Sequence, residues 1–270
     1  MEQGDGKFVG AVPEMYDRFM VPMLFQPYAE DMAARIAALN PLSVLETAAG
    51  SGVVTRVLAP LLGAKSRYVV TDLNPPMLEQ AKRRQAPDPR IEWAVADALN
   101  LPYPDATFDA VLCQFGAMFF PDKVLGYAQA LRVLKPGAKF IFNVWGSLAQ
   151  NDVPDTVWRA VIAHYPQDPP TFFARLPHGY FEADRIRAEL TAAGIEAVTI
   201  ETVTRESRAA SARDAALALV QGTPLRMELA ARDPEGLATV TDKAEAAVRK
   251  RYGDGVVVGK TQALVITATA

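Results

Sequence analysis

The sequence holds one cysteine, Cys113, and only two histidines, His164 and His178. A single thiol excludes an intramolecular disulfide and any cysteine-rich metal centre. Cys113 lies inside an apolar run, so it reads as a small buried hydrophobe rather than a nucleophile. There is no compact Asp/Asn cluster to assign as metal ligands, so no metal is expected. No apolar run approaches the ~20 residues that span a bilayer. Residues 1–12 are polar and Gly-bearing, without the charged and apolar segments of a signal peptide, and read as poorly ordered. Charge of one sign is also lacking. With 28 basic and 31 acidic side chains the net charge is −3, which gives no electrostatic reason to expect nucleic acid or an anionic membrane as partner. The one tight basic run, Lys82-Arg83-Arg84, falls at the end of a predicted helix, where cations suit the dipole. A soluble, cytoplasmic protein without membrane insertion is the expectation. The oligomeric state is left open, a homodimer included.

What is present is a sizeable core and a regular alternation. Half of the 270 residues are hydrophobic, enough for one large α/β domain. The organising stretch is Val44-Leu45-Glu46-Thr47-Ala48-Ala49-Gly50-Ser51-Gly52. Leu42, Val44 and Leu45 read as a short buried strand closed by Glu46. The run that follows has almost no side-chain bulk, so a ligand can approach the backbone closely. Val53 to Leu62 then reads as a helix with Ser51 as its N-cap. Strand, glycine turn and helix together aim backbone N–H groups and a positive helix end at a ligand.

Spacing strengthens this pattern. A second strand, Arg67 to Thr71, ends in Asp72, 20 residues after Gly52; a carboxylate there can take both hydroxyls of a ribose. A third strand, Ile91 to Val95, precedes Asp97-Ala98. A fourth, Phe108 to Cys113, precedes Gln114-Phe115-Gly116. The region just past the carboxyl ends of successive strands is where open α/β sheets bind ligands. Helices are predicted over Tyr28 to Leu39, from Asn74-Pro75-Pro76 to Gln85, and from Pro121 or Asp122 to Leu134, stopping at Lys135-Pro136-Gly137 before a fifth strand, Lys139 to Trp145. Beyond Gly146 the texture changes. Helices are expected over Asp152 to Tyr165, Ala183 to Ala193, Ser211 to Gln221 and Pro234 to Tyr252, a strand over Glu196 to Thr204, and a last strand within Gly255 to Ala268.

Five stretches in this order resemble the class I S-adenosylmethionine-dependent methyltransferases, in the branch of ubiquinone and menaquinone C-methyltransferases and other small-molecule methyltransferases. They are Val44 to Gly52, Val70-Thr71-Asp72-Leu73-Asn74-Pro75-Pro76-Met77-Leu78, Ala96 to Tyr103, Phe108-Asp109-Ala110-Val111 leading into Gln114-Phe115, and Leu131 to Gly137. The resemblance implies a Rossmann-like, seven-stranded, mostly parallel sheet with an antiparallel last strand, helices on both faces and helical lid insertions. It implies one domain over 1–270, with N-terminal lid helices over 1–40, a cofactor core over 41–146, and substrate-side insertions and the last two strands over 147–270. It implies methyl transfer from S-adenosyl-L-methionine to a small, apolar or aromatic acceptor by in-line displacement. On matching positions Gly50, Gly52 and their neighbours hold the methionine part, with Glu46 orienting them. Asp72 binds the ribose with Leu73 against the adenine, Asp97 and the Ala98 N–H read the adenine edge, and Met77 is counted among the cofactor-binding residues. Gln114 faces the methionine end and the acceptor, and Tyr16 reaches the cofactor carboxylate. Ala48 stands where many members have glycine. Thr55 stands at the third glycine of the G-x-G-x-x-G dinucleotide pattern, which counts against a nicotinamide-dependent oxidoreductase.

No catalytic base is identifiable outright. His164, His178 and Gln114 are the candidates, with surface or packing roles competing for the histidines. Tyr16, Phe19, Phe25 and Tyr28, then Phe115, Met118, Phe119 and Phe120, and then Phe172, Phe173, Tyr180 and Phe181 are either pocket lining or ordinary packing. The alternative function is an S-adenosylmethionine-binding protein without transferase activity, a sensor or a partner subunit.

Overall fold

The computed structural model describes residues 12–270, so the expectation of poor order for 1–12 falls, up to residue 11, outside the described residues. The strands are β1 (Ser43–Glu46), β2 (Arg67–Asp72), β3 (Ile91–Val95), β4 (Phe108–Gln114), β5 (Leu134–Trp145), β6 (Val198–Ala209) and β7 (Val257–Thr269). They form a single seven-stranded sheet in the order β3-β2-β1-β4-β5-β7-β6. β1 to β5 pair in parallel, while β7 lies antiparallel against β5, Lys139 opposite Thr269 through Trp145 opposite Ala263. The expected insertion of an antiparallel last strand is therefore what the sheet shows.

The parallel core follows from composition. Val44, Leu45, Tyr68, Val70, Ala110, Val111, Leu112 and Cys113 are all at most 1 % exposed. A strand buried on both faces has no polar alternation, and both faces must be covered by helices. Leu42 departs from the expectation: it precedes β1 and is 66 % exposed. Its N–H is tied to Asp109 Oδ2 at 3.0 Å instead of joining the ladder.

Contacts divide the chain into two compact units. The first comprises Tyr28–Trp145, Tyr180–Val203 and Ala263–Ala270. It holds β1 to β5 with the helices Val53–Leu58, Pro75–Arg84, Lys123–Val133 and Ala183–Ala192. Asp122 caps Lys123–Val133 by accepting from the Leu125 N–H at 2.9 Å. This helix ends one residue sooner than its pattern suggests, because β5 already begins at Leu134. There Leu134 pairs with Phe108, and a register break brings Lys139 opposite Ala110. Lys135, Pro136 and Gly137 thus form an irregular strand entry rather than a loop.

The second unit comprises the described residues up to Pro27, Gly146–Gly179 and Thr204–Gln262. In it, the helix Leu237–Tyr252 packs on Asp152–His164 and on Ala212–Ala216. Two of its helical stretches are π-helical, Tyr16–Phe25 with Pro22 inside it, and Leu217–Gln221. Two helices went unforeseen in the sequence, Phe172–Arg175 and Leu225–Arg232. Asn151 is buried at the head of Asp152–His164. Its amide oxygen accepts from Thr261 Oγ1 at 2.7 Å and the Gln262 N–H at 3.0 Å, and its Nδ2 donates to the Ser147 carbonyl at 2.9 Å. Among the described residues no helix is long and apolar enough to cross a membrane.

Candidate functional site

In the order β3-β2-β1-β4 the chain leaves β1 towards β2 on one side, and β4 returns on the other. A crevice opens outside the carboxyl ends of strands where the order reverses in this way. The residues past β1, β2, β3 and β4 meet there, all within the first unit.

The turn after β1 is built by backbone conformation. Ala48, Gly50 and Gly52 have φ of 51°, 59° and 75°, a region that favours glycine and is strained for alanine. A Cβ on Gly52 would lie 2.9 Å from the Ala81 Cβ, so glycine is required there by space as well as by φ. A Cβ on Gly50 would meet only the Met77 Cε, at 3.5 Å. Gly52 occupies the N-cap position of Val53–Leu58 and supplies no side-chain bond. Ser51 therefore does not cap the helix as expected. Its hydroxyl is buried without a hydrogen-bond partner in the protein.

Asp72 ties the turn to β2. Its Oδ2 accepts from the Gly50 N–H at 2.7 Å, and its Oδ1 accepts from the Asn74 N–H at 2.7 Å. The Asp72 carbonyl accepts from the Ala96 N–H at 3.2 Å, and the Thr71 carbonyl from Ala49 at 2.9 Å. The loops after β1, β2 and β3 are thereby stitched to one carboxylate residue. Burial pushes the Asp72 carboxyl above its usual range, against the pull of the Asn74 and Gly50 N–H groups. Asn74 Nδ2 also donates to Oδ1, at 3.4 Å, while Oδ2 keeps a second lone pair, so the group is fixed by the backbone yet still able to accept.

Glu46 lies beneath the turn, 1 % exposed. Its Oε2 accepts from Thr55 Oγ1 at 2.7 Å and from the Tyr68 hydroxyl in a short bond. Its own carbonyl accepts from Thr71 Oγ1 at 2.9 Å. Burial raises its pKa to about 7, opposed by the Tyr68 and Thr55 hydroxyls and by the charge of Arg56.

The other candidates are placed as follows. Leu73 and Val95 stand out at the rim, 61 % and 55 % exposed, large apolar side chains left open to solvent. Asp97 is exposed, and its Oδ1 accepts from the Leu99 N–H at 2.9 Å; Ala98 is half-buried. Gln114 ends β4, opposite Asn143, and is half-buried. Phe115, Met118 and Phe120 are buried packing residues, and Tyr28 is fully so.

Tyr16, His164 and His178 belong to the second unit. The Tyr16 ring packs 5.0 Å from Phe25. His164 meets Tyr165 edge-on at the end of its helix. His178 is buried, with Nδ1 bonded to the Gly146 carbonyl at 2.8 Å, and burial lowers its pKa to about 4. It is neutral at pH 7.

Sequence reasoning missed Thr55, Tyr68, Asn74 and Ala81, which hold the turn without lining it. Thr55 was visible only as a missing glycine; in the fold it is the hydroxyl that anchors Glu46. For Tyr68 the signal is strand register: Val44 pairs with Tyr68 and Glu46 with Val70, which puts the ring on the Glu46 face.

A methyltransferase domain family matches residues 45–142, the segment that carries this turn and the loops after β2, β3 and β4. The demethylmenaquinone methyltransferase of Deinococcus radiodurans is 39 % identical over 113 residues, 40 % of this chain and 45 % of that protein. The 2-phytyl-1,4-naphtoquinone methyltransferase of Nostoc punctiforme is 39 % identical over 106 residues, 38 % of this chain and 46 % of that protein. The chain thus spans less than half the length of these curated relatives. A solved structure of a SAM-dependent methyltransferase from Aquifex aeolicus superposes with a TM-score of 0.51 at 18 % identity, covering 71 % of this chain and 89 % of that one; it shares the fold.

Proposed function

We propose that this chain, whose residues 45–142 match the methyltransferase domain family, is an S-adenosyl-L-methionine-dependent methyltransferase acting on a small apolar or aromatic acceptor. The observation that carries the reading is the glycine turn held by Asp72. Gly50, half-buried and without a Cβ, leaves the backbone of the turn approachable beside a fixed buried carboxylate at the strand-order reversal, with the open apolar Leu73 next to it. An adenosyl group needs that combination: acceptors for its sugar hydroxyls, an apolar flank for its base and a turn without side-chain bulk for its polar tail.

In this reading Ala48, Gly50 and Gly52 cradle the methionine part, and Glu46 holds the turn through Thr55 and β2 through Tyr68. Asp72 takes the ribose, Leu73 and Met77 bound the base, and Asp97 and Ala98 read its edge. When bound, S-adenosylmethionine supplies a methyl group on a sulfonium whose departure leaves a neutral thioether. The protein then has to align and to exclude water rather than donate a proton, and alignment of this kind lowers barriers by roughly 7–11 kcal/mol. Gln114 suits positioning, since an amide does not titrate. A neutral His178 with a pKa near 4 is a weak base at pH 7. For the acceptor, the naphthoquinone class of the two relatives is the first to test, in its reduced form.

Calorimetry with S-adenosylhomocysteine tests cofactor binding, and labelled methyl transfer from S-adenosylmethionine to a reduced naphthoquinone tests turnover. We expect binding, and at least tenfold weaker binding for Asp72→Ala, which removes a charged acceptor. No binding at millimolar ligand, or equal binding by the variant, overturns the reading. Binding without transfer to any acceptor in a cell extract would replace it with a cofactor-binding sensor or partner subunit.

A further inference from the structure

Two residues other than glycine adopt the left-handed backbone conformation at the reversal point, Ala48 and Phe115, both with φ of 51°. Backbone of this kind costs of order 1–3 kcal/mol per residue and persists only where the surroundings over-determine it. At Phe115 they do. Its N–H donates to Asn143 Oδ1 at 2.9 Å, and its ring stacks on Trp145 with centroids 3.7 Å apart and planes 9° from parallel. Tyr28 stands edge-on to both rings, 5.3 Å from each. The next residue, Gly116, lies directly against Ala48. A Cβ on Gly116 would fall 2.5 Å from the Ala48 Cβ and 2.8 Å from Cys113 Sγ, whereas the Ala48 Cα would be 3.9 Å away. Beneath them the Thr47 N–H donates to the Leu112 carbonyl at 2.9 Å. The methyl of Ala48 thus occupies the room that a side chain at 116 would need.

From this we infer that Ala48 and Gly116 are an interlocked pair that sets the spacing between the loops after β1 and β4, and that Gly116 is a positioning residue for the methionine end of the cofactor site. The inference rests on the proposed function for its ligand, but the interlock itself is a property of the fold. Gln114 and Phe115 are aimed by the same contact. A shift of Gly116 displaces Ala48 and with it the Ala48-to-Gly52 turn.

The test is a double-mutant cycle of Ala48→Gly, Gly116→Ala and both together. Unfolding midpoints and S-adenosylhomocysteine affinity are each measured where circular dichroism shows the variant folded. Gly116→Ala should lower the midpoint and weaken binding by about tenfold, the scale of coupling for residues in contact. Ala48→Gly alone, at a residue of the cradle itself, gives the background against which the double variant is compared. In the Ala48→Gly background Gly116→Ala should cost no more than about threefold in affinity, against about tenfold in the parent, because the Cys113 contact is common to both Gly116→Ala proteins and only the methyl differs. If Gly116→Ala does not fold, the double variant must fold and bind; failure of both overturns the inference. Parent-like binding by Gly116→Ala, or effects that simply add, overturns it while the cofactor reading stands. If the parent protein itself binds no S-adenosylhomocysteine, the cofactor reading fails, and the melting cycle alone still decides the interlock.

Discussion

Glu46→Gln is the sharpest perturbation of the site that needs no ligand. The native carboxyl has a pKa of about 7 against an ordinary 4.5. A raised native pKa means that the protonated form is favoured by folding. Its contribution is fully present below about pH 4.5 and is lost as pH rises through 7. With those two values, the stability of the parent protein relative to Glu46→Gln should fall by about 2.5 kcal/mol between pH 5 and pH 8, at 1.36 kcal/mol per pKa unit. The amide is close to isosteric with a protonated carboxyl, and its oxygen can still accept from Thr55 and Tyr68. Urea unfolding of both proteins at pH 5, 6, 7 and 8 reads the difference, and titrations elsewhere in the chain cancel in it. A difference that is flat across this range, or that grows in favour of the parent with rising pH, would refute a buried carboxyl held near pKa 7.

Two further outcomes follow from geometry. Gly52→Ala should destabilise the protein by about 2 kcal/mol, combining a left-handed φ with a 2.9 Å approach to Ala81; a denaturant midpoint equal to that of the parent contradicts this. Cys113 is buried with its pKa raised to about 11, so labelling by an aromatic disulfide reagent should follow unfolding rather than reagent concentration, and prompt stoichiometric labelling of native protein would show the thiol accessible.

Much of the first unit was legible because its signals are local. The strand runs, the bulk-free Ala48-to-Gly52 stretch and the polar residues that follow each strand are all written in consecutive residues, and parallel pairing then brings the strand ends to one edge. The hydrogen bonds that hold the site were not legible, since they depend on register. Tyr68 reaches Glu46, and Asn143 reaches Phe115, only because β1 pairs with β2, and β4 with β5, in one particular offset. Ser51 looked like a cap because serine favours that position, yet a glycine with positive φ took it, and space against Ala81 decided the matter. Leu42 looked like core from its neighbours, but the strand began one residue later. In the second unit the π-helical stretches carry an ordinary helical pattern of apolar residues, so periodicity alone reads them as α-helix.

The antiparallel seam between β5 and β7 has a bearing on how the protein is made. Residues 139–145 leave the ribosome well over a hundred residues before their partners at 263–269. Throughout that interval one flank of the nascent sheet is a bare row of amide and carbonyl groups beside Phe140, Phe142 and Trp145, the kind of edge that recruits stray strands. A chain cut short of residue 263 keeps that flank exposed, and should precipitate or be cleared by quality control even though every residue of the glycine turn has already been synthesised.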